Sequence, residues 1–297
     1  MSRWEGKSKG TVLGYKIFFL FISHFGVRSA YFILYFVATY YFLFLKESNS
    51  AIFYYFRKRL GYSYWRSKIS VFKSYYTFGT TIIDKVAISS GTRNQFTFEF
   101  DGIELLKKLL SAKQGGVLIS AHVGNFEIAE HFFALIDLDF QINIVTTDRE
   151  RSEIKSYLEK ITRQSTIKYI IIKEDLSHIF EINSALARNE LVCFTGDRYF
   201  EGVRSLKAEF LRAEATFPAG PFLIASRLRV PVVFVYVMKE PKLHYHLYAR
   251  EAQVVQRNET GLLKTYIQSV ESILEKYPLQ WFNYFDFWNQ LDKERSS

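Results

Sequence analysis

The chain has 297 residues, a length that suits one α/β domain of ordinary size with an N-terminal extension. Its single cysteine, Cys193, excludes an intrachain disulfide framework and fits a reducing compartment. The net charge of +9 is concentrated, since residues 1–80 hold twelve Lys/Arg against two Glu. That asymmetry points to an anionic partner. Nucleic acid is disfavoured because the basic residues adjoin a strongly apolar segment, which leaves a phospholipid surface or an acidic protein.

The first predicted element is that apolar segment. Ser29 to Leu45 is seventeen residues without a charge. As a helix it reaches about 25 Å, short of a comfortable bilayer span. A second apolar piece, Ile17 to Phe25, precedes it, and His24-Phe25-Gly26-Val27-Arg28 reads as the break between them. Lys7, Lys9 and Lys16 flank the pair on one side, and Lys46, Arg57, Lys58 and Arg59 on the other. Positive flanks stay cytoplasmic, so the expectation is a re-entrant or interfacial hairpin with both ends on the cytoplasmic face. A single span and a buried core helix are the alternatives. A cleaved signal peptide is disfavoured because no small-residue cleavage site follows. Next, Trp65, Ile69, Phe72 and Tyr76 recur at helical spacing among Lys and Arg, which suits a helix at headgroup level or one packed on the body.

From residue 96 short β-rich runs alternate with helical patterns. Phe96, Phe98 and Phe100 alternate with Thr97 and Glu99, a strand with one buried face. Leu105, Leu106, Leu109 and Leu110 mark a helix. Then come strand 116–120, helix 124–136, strand 140–146, helix 149–164, strand 168–173, helix 176–188 and strand 190–195. A long loop follows, then helix 217–228, strands 231–238 and 243–249, and helix 260–277. Such alternation predicts an α/β fold, with a mostly parallel central sheet flanked by helices. The predicted organisation is a membrane-associating segment at 1–50, an aromatic-basic helical region at 51–95 and the α/β domain at 96–297. Cys193, inside Leu191-Val192-Cys193-Phe194, reads as a buried small hydrophobe.

The chemistry-bearing stretch is Gly115-Gly116-Val117-Leu118-Ile119-Ser120-Ala121-His122-Val123-Gly124-Asn125-Phe126-Glu127. An apolar strand ends in a histidine, a residue able to act as a general base near neutral pH. Glu127 follows at the start of a helical pattern, where it is placed to hold the ring in one tautomer. Gly124 leaves room for a substrate to approach the backbone. Ligands in parallel sheets sit beyond the C-terminal strand ends. Both His122 and Gly196-Asp197-Arg198 follow strand ends, so the two loops are expected to face one cleft. His131 stands four residues after Glu127, but no HExxH pattern or third close ligand accompanies it, and no metal is expected. GxSxG and Gly-rich nucleotide loops are also absent from the sequence.

The 115–127 block resembles the signature of the lysophospholipid acyltransferase superfamily, His, four residues, then Asp or Glu. It is most similar to the bacterial lipid A late acyltransferases, the lauroyl and myristoyl transferases. Three further blocks resemble that family in the same order: Phe78-Gly79 through Asp84-Lys85, Phe194-Thr195-Gly196-Asp197-Arg198, and Phe210 through Pro221, where Arg212 replaces the usual Gly. The ending Pro278-Leu279-Gln280-Trp281-Phe282-Asn283-Tyr284-Phe285-Asp286-Phe287-Trp288 resembles that of some relatives. The resemblance implies a membrane-associated acyltransferase of lipid biosynthesis on the cytoplasmic face of the bacterial inner membrane. His122 would be its base and Glu127 the base's partner. Gly124, Asn125, Arg149, Asp197, Arg198 and Arg212 are the expected substrate-binding residues. The donor would be an acyl thioester, on acyl-carrier protein or coenzyme A, the acceptor a hydroxyl or amine of a lipid, and no cofactor is implied. A hydrolase using the same cleft and a non-catalytic lipid-binding scaffold are the competing classes.

Overall fold

The computed structural model describes residues 21–22, 24–129, 141–147, 167–173, 175–199 and 203–288. Among them, with strands numbered in chain order, a seven-stranded sheet runs β1 (Thr97–Asp101), β9 (His244–Glu251), β8 (Val232–Glu240), β2 (Gly116–Ser120), β5 (Leu191–Thr195), β3 (Ile142–Thr147), β4 (Ile167–Ile172). Neighbouring strands are parallel except β8 with β9. The mostly parallel sheet is therefore as expected, and so is the helical cover. The described helices include α1 (Val27–Phe44), α2 (Lys46–Tyr54), α3 (Tyr64–Ala87), α4 (Ile103–Ser111), α5 (Ser177–Ala187), α6 (Ala219–Arg227) and α7 (Glu259–Lys276).

The strand sequences explain the layers. β2 is buried at every position, because parallel strands are covered on both faces and lack a polar alternation. Its side chains still obey the period of two. Val117 and Ile119 enter a core with Phe222 of α6 and Leu262 and Tyr266 of α7. Leu118 enters the opposite core with Leu106 and Leu109 of α4, Ile83 and Val86 of α3, and Val27, Ala30 and Leu34 of α1. The N-terminal helices thus share the core of the sheet. The break before the first long helix lies where the sequence places it: Gly26 takes φ +78° and α1 begins at the next residue.

A buried ionic cluster reinforces that union. The Asp84 side chain on α3 is fully buried and pairs with Lys239 Nζ of β8 at 2.6 Å. It also accepts hydrogen bonds from Tyr245 Oη of β9, at 2.6 Å, and from Tyr31 Oη of α1. Lys239 Nζ donates to Tyr31 Oη at 3.0 Å. Burying a carboxylate is costly unless it is paired and fully hydrogen-bonded, and this one is.

Three expectations need correction. The segment after residue 195, expected as a long loop, contains an antiparallel hairpin, β6 (Ser205–Phe210) with β7 (Ala213–Pro218). Its two-residue turn has Leu211 at φ +50° and Arg212 at φ +66°. Such a turn normally carries Gly or Asn, and with neither present the hairpin signal is hidden in the sequence. The helix expected over 124–136 is preceded by a 3₁₀ turn, Phe126–Ile128, and its later part lies outside the described residues. The first strand is also less buried than expected. As the edge strand β1 it leaves Phe98 and Phe100 half-buried.

The turn supports a stability prediction. A non-glycine residue in the left-handed region costs roughly 1–2 kcal/mol, part of which is offset by the greater unfolded-state entropy of glycine. Arg212→Gly is therefore expected to stabilise the protein by up to about 1 kcal/mol, a rise in Tm of roughly 2–4 °C. Thermal unfolding by circular dichroism checks it. A lower Tm would mean that the arginine side chain contributes more than the strain removes.

Candidate active site

The site is assembled by sheet order. β2 and β5 are adjacent parallel strands, with Ser120 opposite Thr195. The loops that leave their C-terminal ends therefore emerge side by side, although 75 residues separate His122 from Asp197. Gly196 N donates to Ser120 O at 2.9 Å and Tyr266 Oη of α7 to the same oxygen at 3.0 Å, which locks the two exits together.

Asp197 then grips His122 twice. The His122 backbone N donates to Asp197 Oδ2 at 3.0 Å, and the ring Nδ1 lies 2.7 Å from Oδ1. Trp281 Nε1 donates to Oδ2 at 3.3 Å. The aspartate side chain is buried, while the histidine ring keeps 20% exposure. Burial by itself would raise the Asp197 carboxyl. The His122 charge, the His122 hydrogen bonds and the Arg198 charge outweigh that and hold it below the usual carboxylate range. An ionised carboxylate only accepts, so Nδ1 carries the ring proton and, in the neutral ring, Nε2 carries the lone pair.

The C-terminal segment forms one wall of the site. Phe282 N donates to His122 O at 2.9 Å, Gly124 N to Gln280 O at 2.9 Å, and Arg198 Nη2 to Phe282 O at 3.2 Å. Val123 and Trp281 form an isolated antiparallel bridge. Trp281 packs edge-on against Phe210 and Phe287, so the hairpin supports this wall from behind.

The expected site residues divide accordingly. His122, Asp197 and Arg198 converge. Gly124 adjoins them at φ +60°, but the space that a Cβ would need there is occupied by the Val237 carbonyl of β8, 2.1 Å from that position. Its missing side chain thus admits a neighbouring strand. Asn125 is buried, its backbone N donating to Val237 O at 2.7 Å and its Nδ2 to Thr81 O of α3 at 2.8 Å. Arg212 sits exposed at the hairpin tip, where its carbonyl accepts from Arg59 Nη1 at 3.3 Å. No described hydrogen bond or ion pair joins it to His122. Glu127 follows in the 3₁₀ turn, where only its backbone is described. Arg149 and His131 lie outside the described residues. The sequence reading missed Trp281 as a donor to Asp197, and although it expected the loops of His122 and Asp197 to face one cleft, it did not pair the two side chains. Cys193 is buried as expected, and burial pushes its thiol up, away from the reactive thiolate.

A histidine one-fifth exposed, with Nδ1 held by a buried, ionised aspartate at the C-terminal end of a parallel sheet, is chemically able to accept a proton at Nε2. The comparison with known families is specific. The profile of the bacterial lipid A biosynthesis acyltransferases matches residues 8–289, and the chain belongs to that family. Among curated proteins, none matches the chain.

Proposed function

We propose that the protein transfers a fatty acyl chain from an acyl thioester, carried by acyl-carrier protein, to a hydroxyl or amine of a lipid acceptor at the cytoplasmic face of the bacterial inner membrane. The observation that supports this reading most directly is the His122–Asp197 pair on adjacent strand ends, in a chain of the lipid A biosynthesis acyltransferase family. His122 Nε2 takes the proton of the acceptor group as its oxygen or nitrogen attacks the thioester carbonyl. The tetrahedral oxyanion collapses, the carbon–sulfur bond breaks, and the departing thiolate takes the proton from the imidazolium, which returns His122 to its neutral form. The products are the acylated lipid and the free thiol, and no acyl-enzyme forms. Asp197 holds the ring and stabilises its protonated form. Glu127 is assigned the second negative charge, in keeping with the His-four-residues-Glu signature, and Arg198, beside Asp197, is assigned to the oxyanion and the donor phosphate. Basic residues of the N-terminal part attract anionic lipid and the acidic carrier.

The test combines lipid chemistry with one substitution. Mass spectrometry of total lipids from cells with and without the protein names the acceptor. Asp197→Asn offers the ring an amide in place of the charge, disfavouring both the productive tautomer and the imidazolium. It is expected to lower kcat by roughly 10²–10⁴-fold with little change in KM. Equal kcat in the variant would remove Asp197 from the mechanism. Thioester cleavage as fast without acceptor as with it would make the protein a hydrolase.

A further inference from the structure

α1 presents its faces the opposite way to a helix on a water-exposed surface. Val27, Ala30, Leu34 and Ala38 are buried against the body, while Phe32, Tyr35, Phe36, Tyr40, Leu43 and Phe44 all face outward at more than 50% exposure. The outward residues recur at intervals of three and four and form one apolar stripe along the whole helix. A patch of this kind is far too large to be incidental.

The packing on the inner side decides how such a stripe meets a membrane. α1 lies along α3 from end to end. Tyr31 bonds Asp84, Leu34 fills the space above Gly79 and Phe42 meets Phe72, while Tyr35, at the edge of the outer stripe, meets Phe72 and Tyr76 with part of its ring. α3 is in turn tied to the sheet by Asp84–Lys239 and to the active-site wall by Phe78–Phe282. A crossing α1 would carry α3, with the polar and charged groups beside it, into hydrocarbon, at a cost of several kcal/mol per group. A flat α1 immerses only its outer stripe.

The stripe also continues. Trp65 and Ile69 share the α3 face that carries Phe72 and Tyr76, at spacings of four, three and four. α1 has ended by then, and they stand exposed at 74% and 55%. Arg57, Lys58, Arg66 and Lys73 are exposed around them. Apolar side chains ringed by cations match a bilayer with anionic headgroups.

We propose that the protein is monotopic: α1 lies flat in one leaflet, and Trp65 with Ile69 forms a second point of insertion beside it. The proposal deepens the membrane placement in the reading above and is independent of the acyl chemistry. It also seats the catalytic wall one helix away from the bilayer, since α3 contacts both α1 and Phe282.

The test uses the full chain on vesicles of phosphatidylethanolamine and phosphatidylglycerol. Single cysteines at positions 32, 36 and 43 in a Cys193→Ala background carry a bimane label, and lipids with quenchers at known acyl depths report immersion. A flat helix places all three at one shallow depth. Position 36 near the bilayer midplane, with 32 and 43 shallower, would overturn the proposal. Trp65→Ala/Ile69→Ser is expected to weaken vesicle binding about tenfold or more, from the apolar burial lost. Unchanged binding with an unchanged unfolding temperature would remove the second contact. If that double variant fails to fold, the depth readings decide alone. Acyl transfer to detergent-dispersed acceptor is measured in parallel. Midplane depth with intact transfer overturns only the membrane seat, whereas shallow depth without transfer overturns only the enzymatic reading.

Discussion

Replacing His122 by alanine is expected to lower acyl transfer by roughly 10²–10⁴-fold, the usual worth of a positioned general base. The variant loses the imidazole that Asp197 holds, while Asp197 keeps its bonds from the residue 122 backbone and from Trp281. The fold is therefore expected to survive, with a modest fall in Tm from the weaker pairing of a buried carboxylate. Purified wild type and variant are compared in a thioester-to-lipid transfer assay, with thermal unfolding as the control. A folded variant that keeps more than about a tenth of wild-type activity would sink the catalytic reading, because that is far less than a base contributes.

Asp84→Ala is expected to be the most damaging single change to stability. It leaves the Lys239 ammonium, with a side chain 12% exposed, without its carboxylate and also removes the acceptor of the Tyr31 and Tyr245 hydroxyls. Breaking one half of a buried pair costs about 3–5 kcal/mol. In a chain of this size that corresponds to a fall in Tm on the order of 10 °C. A double-mutant cycle isolates the pair: Lys239→Met should cost clearly less in the Asp84→Ala background than in wild type. Additive losses would mean that the two groups do not act on each other. Because the cluster joins α1, α3, β8 and β9, its loss is also expected to loosen the N-terminal helices, seen as faster amide hydrogen exchange in α1.

The sequence by itself determined the regular parts. The strands expected at 116–120 and 190–195, the helix expected over 260–277 and the break at Gly26 are each specified locally, and each is found within a residue or two of its expected place. The glycine that ends one apolar piece and the histidine that ends an apolar strand are local signals, readable without a partner. The hairpin at 205–218 was hidden because Leu211 and Arg212 occupy a turn whose backbone favours glycine, held there by contacts with Glu271 and Arg59 from distant parts of the chain.

Only the tertiary structure decided who partners whom. His122 and Asp197 meet because β2 and β5 are neighbours in the sheet, and strand order depends on the packing of helices on both faces, which no local pattern specifies. Trp281 reaches Asp197 because the C-terminal segment folds back along the His122 loop. Gly124 was readable as a place of close approach, yet whether a substrate or a strand comes near depends on where β8 passes, and it is the Val237 carbonyl that arrives. The apolar character of 29–45 was plain in composition. Which of its faces is left outside was set by α3, since a helix this uniformly apolar has no inner side until a neighbour covers one.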